Sequence, residues 1–175
     1  VVAYRSSDAM VKPNTMGEIM KMLIKLCLML SLVGVLSGTA FAGTATREEC
    51  ITMAKQAAEM ILQGQDAALA EIAKSDGKFV WKDSYVFVMN LKGKMLAHPF
   101  MPGLTRMDSL LAVSDKNLEK PKMIFVDFVT LAATKGEGWV EYFWPKPNET
   151  AASPKVTYIY RVPGTDLLTG AGYYK

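Results

Sequence analysis

Histidine occurs once and cysteine twice in these 175 residues, and that scarcity removes several chemistries at the outset. A zinc site gathers three or four Cys, His or carboxylate ligands, and His98 and Cys50 have no such company in the sequence. There is no Cys-x-x-Cys-His for haem, no glycine-rich phosphate loop and no Gly-x-Ser-x-Gly nucleophile elbow. Catalysis therefore has no support, a hydrolase is a remote reading, and no cofactor is expected. An excess of one charge is missing too. The chain carries 20 Lys and Arg against 17 Asp and Glu; Arg5, Lys12, Lys21 and Lys25 against Asp8 and Glu18 fall before residue 43, leaving 16 against 15 beyond it. A phosphate backbone is held by a dense basic surface, so this balance excludes nucleic acid as a partner. With half its residues hydrophobic and 21% charged, the chain has the composition of one ordinary folded domain.

The long apolar run lies near the start. Lys21 and Lys25 precede Leu26 to Leu36, and Thr39-Ala40-Phe41-Ala42-Gly43 places small residues at the two positions a signal peptidase reads. The segment predicts a signal peptide cleaved after Ala42. Residues 1–42 are then leader and 43–175 one domain, periplasmic or secreted, which meets the membrane only during export. The alternative is an uncleaved anchor, but a run of about 17 residues containing Gly34 and Gly38 only just spans a bilayer. Residues before Met16 or Met20 fit no part of a signal and read as a start codon taken too early. Neither Cys27 nor Cys50 follows the small-residue box that lipidation needs. Once Cys27 leaves with the signal, Cys50 has no partner for an internal disulfide, and its place in a predicted helix reads as packing rather than as a reactive thiol.

Thr46-Arg47-Glu48-Glu49 has the spacing of a capping box and opens a helix. Ile51, Ala54, Ala58 and Ile61 recur at helical steps, with Met53, Ala57 and Met60 widening the stripe. Gly64 bends or ends that helix, and Asp66 to Ala73 continues as a short second piece. From Tyr85 the period is that of strands. Tyr85 to Met89 and Met95 to His98 flank a glycine turn and form a hairpin. Lys122 to Thr134 is a second substantial helix ending near Gly136. Strands follow at Trp139 to Trp144, Val156 to Val162 and Leu167 to Tyr174. Strands joined by short turns pair antiparallel, so the class is α+β, with the helices expected on one face of a sheet of about five strands.

The run Gly136-Glu137-Gly138-Trp139-Val140-Glu141-Tyr142-Phe143-Trp144-Pro145, then Pro154-Lys155-Val156-Thr157-Tyr158, Gly164-Thr165-Asp166 and Gly170-Ala171-Gly172-Tyr173-Tyr174, resembles the single Cache domain. Leu96-Ala97-His98-Pro99 is similar to that family's second strand, and the resemblance covers residues 47 to 174. Glu119-Lys120-Pro121 and Leu167 depart from the family pattern, so no member's ligand preference transfers. The resemblance implies a PAS-like antiparallel sheet with a long N-terminal helix and a second helix packed on it, and a small-molecule pocket under covering loops. Such domains are the extracytoplasmic sensing modules of chemoreceptors and sensor kinases, and many bind short carboxylates. A signal peptide, one such domain and a stop at Lys175 would make a stand-alone binding module in signal transduction or chemotaxis, dependent on a separate membrane receptor or sensor kinase.

A binding pocket needs apolar walls and a few fixed polar groups. Tyr142 and Trp144 share one face of their strand, and Tyr158 and Tyr160 share a face of theirs. If the two faces coincide, the hydroxyls of Tyr142 and Tyr158 converge with the indole of Trp144, and Phe87 adds an apolar wall; the other reading makes these aromatics ordinary core. A short organic anion such as a carboxylate needs a countercharge. Lys155 is the first choice, because the matching Pro-Lys lies by the pocket in the family, ahead of Lys146 and Arg106; exposed solvation is the competing reading for each. His98 either closes the pocket as a donor, titrates near neutral pH, or is structural. Tyr85, Arg106, Lys146 and Tyr160 complete the candidates. Against the carboxylate binder stands a different class of protein, one that kept the fold, lost the ligand and docks a membrane receptor. A preformed cavity favours the first and a pocket packed shut the second.

Overall fold

The computed structural model describes residues 43–175; the expected leader, its cleavage site and Cys27 lie outside the described residues. Helix α1 spans Arg47–Gln63. The Thr46 hydroxyl accepts the Glu49 N–H, and the Glu49 carboxylate accepts the Thr46 N–H at 2.9 Å. Each bond satisfies a donor that a helix start leaves orphaned. Gly64 ends it, and α2 follows over Gln65–Ile72. The strands are β1 (Val80–Trp81), β2 (Ser84–Asn90), β3 (Met95–Ala97), β4 (Glu137–Pro145), β5 (Ala152–Arg161) and β6 (Leu167–Tyr174). Helix α3 (Ile124–Thr134) precedes β4, and a short 3-10 helix covers Pro102–Arg106. Gly136 follows the end of α3 with φ +80°, a left-handed turn that suits glycine.

All pairings are antiparallel, in the order β1-β2-β6-β5-β4 with β3 also on β2. This is the α+β architecture expected, with β1 and the 3-10 helix as additions. One expectation is corrected: the helices do not share a face. Cys50, Ala54, Ala57, Ala58 and Ile61 of α1 pack with Val86, Val88, Tyr158, Leu167 and Ala171 of the sheet. Small side chains along α1 let it lie close, and the Thr169 hydroxyl donates to the Ala54 carbonyl at 3.0 Å. On the opposite face, Ile124, Phe125, Phe128 and Ala132 of α3 pack with Tyr85, Phe87, Met89, Tyr142, Trp144 and Ile159. Side chains alternate across a strand, so a sheet with both faces buried has two separate cores, and each strand divides its residues between them.

The turn between β1 and β2 ties the start of α1 to the sheet. Asp83 Oδ1 accepts the Ala45 N–H at 2.8 Å, and Lys82 Nζ lies 2.6 Å from Glu49 Oε1. No helix among the described residues is long and apolar enough to cross a membrane.

Candidate functional site

The β4–β5–β6 register decides which side chains meet beneath α3. Tyr142 stands opposite Lys155 and Lys155 opposite Tyr174; Val140 stands opposite Thr157 and Thr157 opposite Gly172. Phe87 faces Gly170. Directly paired residues point to the same side of a sheet. Tyr85, Phe87, Tyr142, Trp144, Lys155, Thr157 and Tyr174 therefore share one face with the two glycines between them.

Those glycines make room. A Cβ at Gly172 would strike Thr157 Oγ1 and stand 2.8 Å from the Val156 carbonyl oxygen and 2.9 Å from Lys155 Cε, and at Gly170 it would strike the Phe87 ring. With no side chain at Gly172, the Lys155 side chain crosses β6 and brings its ammonium over the ring of Tyr85, 3.9 Å from the centroid, and 4.7 Å from that of Tyr174. Lys155 is 1% exposed. Its Nζ has no hydrogen-bond partner among the described residues. Cation–π attraction is worth about 2 kcal/mol when desolvated, which falls short of the cost of burying an ammonium. Burial accordingly pulls the Lys155 pKa from 10.5 down to about 7, with the nearby Cys50 and Asp83 only partly opposing.

Beside this lysine, α3 and the sheet enclose an aromatic cage lined by Tyr85, Phe87, His98, Phe128, Tyr142 and Trp144, together with Leu104 and Phe125. Its free volume is about 10 Å³, room for one water molecule. The rings fill it by edge-to-face contact, as in Phe125 on Trp144 at 5.9 Å and Phe128 on Tyr142 at 5.4 Å. The Tyr142 hydroxyl is held by Thr157 Oγ1 at 2.8 Å. His98 Nδ1 accepts the backbone N–H groups of Phe100 and Met101 at 3.2 and 3.0 Å, so the ring proton sits on Nε2. Burial, with the Lys155 charge second, lowers the His98 pKa to about 3. It is a neutral donor on the cage wall, which corrects the reading of His98 as a group that titrates near neutral pH.

The structure thus brings Tyr85, Phe87, His98, Tyr142 and Trp144 around one cage, and sets Lys155 behind its Tyr85 wall. Four candidates fall elsewhere. Tyr158 and Tyr160 belong to the α1 face, where the Tyr158 hydroxyl donates to Glu137 at 2.6 Å and Lys55 lies over the Tyr160 ring. Tyr158 lies three positions after Lys155, and an odd offset puts two strand residues on opposite faces. Arg106 is exposed at the end of the 3-10 helix. Lys146 stands 3.9 Å from Asp83 Oδ2, with its Nζ over the Tyr174 ring at 5.5 Å. Sequence reasoning passed over Thr157, Gly170, Gly172 and the α3 phenylalanines; alternation from Lys155 points to Thr157, while nothing local marks the rest.

A second, more polar space of about 110 Å³ lies at the β4 edge, lined by Asp115, Lys122, Glu141 and Lys175 and also by Tyr142 and Lys155. Apart from Lys155, its charged groups are already engaged: Asp115 accepts the N–H groups of Lys122 and Phe143, Lys122 donates to the Glu141 carbonyl, and Lys175 pairs with Glu141.

A Cache domain family model matches residues 48–175. The methyl-accepting chemotaxis protein McpP of Pseudomonas putida is 33% identical over 92 residues, which is 53% of this chain and 16% of McpP, so the chain spans less than a fifth of that relative. Among solved structures, the periplasmic sensor domain of a chemotaxis protein superposes with TM-score 0.57 at 25% identity, covering 73% of this chain and 88% of that one. A Cache chemosensory domain described for its carboxylic acid recognition gives 0.57 at 20% identity over 91% and 98% of the two chains. A methyl-accepting chemotaxis protein of Vibrio parahaemolyticus gives 0.59 at 17% identity over 90% and 96%, and these last two likenesses speak to the fold.

Proposed function

Because this chain belongs to the Cache domain family, whose members matched here include chemotaxis sensor domains, we propose that it is an extracytoplasmic ligand-binding module for a short organic anion. The carboxylate head meets the Lys155 ammonium, with the Tyr142 hydroxyl and His98 Nε2–H as further donors. The tail lies among Phe87, Phe128 and Trp144. The observation that carries this reading is the buried, unpartnered ammonium. Folded proteins rarely leave such a group without a partner, and a carboxylate supplies charge-assisted hydrogen bonds that no neighbour among the described residues provides. With about 10 Å³ free, the cage holds a ligand only when α3 and the Tyr85 ring give way, so binding and movement of this face are one event. Occupancy is then passed to a membrane receptor or sensor kinase. Residues 1–42 act in this reading as the export signal.

The small cage favours the competing role, a Cache fold without a ligand that docks a receptor directly. Calorimetry separates the two. Acetate or propionate should bind the wild type and bind Lys155→Met about ten- to a hundredfold more weakly, since a hydrogen bond to a charged group is worth about 1.5–3 kcal/mol. No heat with any small carboxylate, at a pH where Lys155 is charged, selects the docking role.

A further inference from the structure

We propose that this site takes up a proton together with its anion, so that it responds to a carboxylate and to acidity jointly; the inference rests on the binding reading above. The geometry is that of a lysine with three unused donors, sealed from water and resting on two tyrosine faces. In the free protein the neutral amine suits this setting better than the ammonium, because nothing at hydrogen-bond distance among the described residues stabilises the charge. An anion placed against Nζ reverses that preference. Above neutral pH the balanced step is carboxylate plus neutral Lys155 plus one proton from solvent, giving carboxylate paired with the Lys155 ammonium. Below neutral pH the proton is already in place.

The groups that face Lys155 do not supply this proton. From α1, the buried Cys50 thiol is pushed up to about 12 and stays protonated. From β2 and β6, burial raises the phenols of Tyr85 and Tyr174 above their ordinary range, and from β4 it does the same for Tyr142. Beyond β3, His98 has Nδ1 committed to two backbone donors and stays neutral, its pKa lowered to about 3. From the β1–β2 turn, Asp83 receives the Ala45 N–H on Oδ1, while its buried Oδ2 has no hydrogen-bond partner among the described residues and stands 3.9 Å from Lys146; its charge only partly offsets the burial of Lys155. Burial takes Lys155 itself to about 7, whereas Cys50 and the three tyrosines keep their protons and His98 stays neutral between about pH 7 and 9.

The test is calorimetry of acetate and propionate binding to the whole chain, in two buffers of different ionisation enthalpy. At about pH 8.5 the heats should differ by the equivalent of nearly one proton taken up per anion, and at about pH 6 by very little. The Kd should rise about tenfold per pH unit across that alkaline range. Buffer-independent heat with a flat Kd would overturn the proton coupling while leaving the anion site standing. Absence of binding by both acids at about pH 6 would overturn the site and the coupling together. Lys155→Met serves as the second arm: residual binding by this variant should be free of proton uptake, and an unchanged uptake would place the titrating group elsewhere and overturn the assignment.

Discussion

Replacing Lys155 with methionine should make the ligand-free protein more stable. The lysine pKa falls from 10.5 to about 7 on folding, and at about 1.4 kcal/mol per pH unit the buried charge costs on the order of 5 kcal/mol when the amine is fully protonated. Methionine gives up the charge and its attraction to Tyr85 and Tyr174, worth about 2 kcal/mol, but keeps the length and much of the contact with both rings. The difference leaves Lys155→Met ahead by about 3 kcal/mol near pH 6, or roughly 10 °C in Tm for a domain of this size. The sign with pH follows from proton counts. Between about 7 and 10.5 the unfolded chain holds the lysine proton and the folded one does not. Wild-type stability therefore rises with pH across that window, and below it the full penalty remains. Cys50 and the buried tyrosines oppose this at the alkaline end, but equally in both proteins, so the wild-type minus variant curve isolates Lys155. Urea unfolding at several pH values measures it. A variant less stable than wild type at pH near 6, or two parallel pH curves, would refute the claim that this ammonium is buried without compensation.

The two tyrosines once grouped by sequence should separate by experiment: Tyr142→Phe, which strips the partner of Thr157, should weaken propionate binding about three- to tenfold. Tyr158→Phe, on the α1 face, should leave affinity within about twofold. Gly172→Ala puts a methyl against Thr157 Oγ1, 2.8 Å from the Val156 carbonyl oxygen and 2.9 Å from Lys155 Cε, and should cost as much affinity as losing the lysine charge while far-UV circular dichroism stays native; undiminished binding would show that Lys155 reaches its place without that gap. Nitrogen NMR of His98 should show the Nε2–H tautomer and no protonation until well below the ordinary histidine range, its pKa lying at about 3. The proton that His98 gains only on unfolding then lowers stability as pH falls from 6.5 towards 3, and a midpoint near 6.5 would remove the two-donor lock.

Local chemistry was readable where one short segment settles the matter. The Thr46–Glu49 capping box, the break at Gly64 and the hairpin around Gly93 each depend on neighbours in sequence, and each is found. What needs the sheet was not readable. The two-residue strand β1 is too short to carry a period, and it exists because β2 offers an edge. The faces of the helices depend on which side of the sheet the chain crosses, and the apolar stripe of α3 looks the same on either side. For the site, alternation within β5 was available and argues against pairing Lys155 with Tyr158. The role of Lys155 could not be read from its own surroundings, because a lysine after a proline is a surface residue in most folds. Its burial is decided 17 residues away, at Gly172, where the absence of a side chain opens a path across β6 to Tyr85. A residue that destabilises the empty fold, reached through a gap kept by glycine, is hard to account for by packing alone. It is accounted for if the empty fold is the form that waits for a charge of the opposite sign.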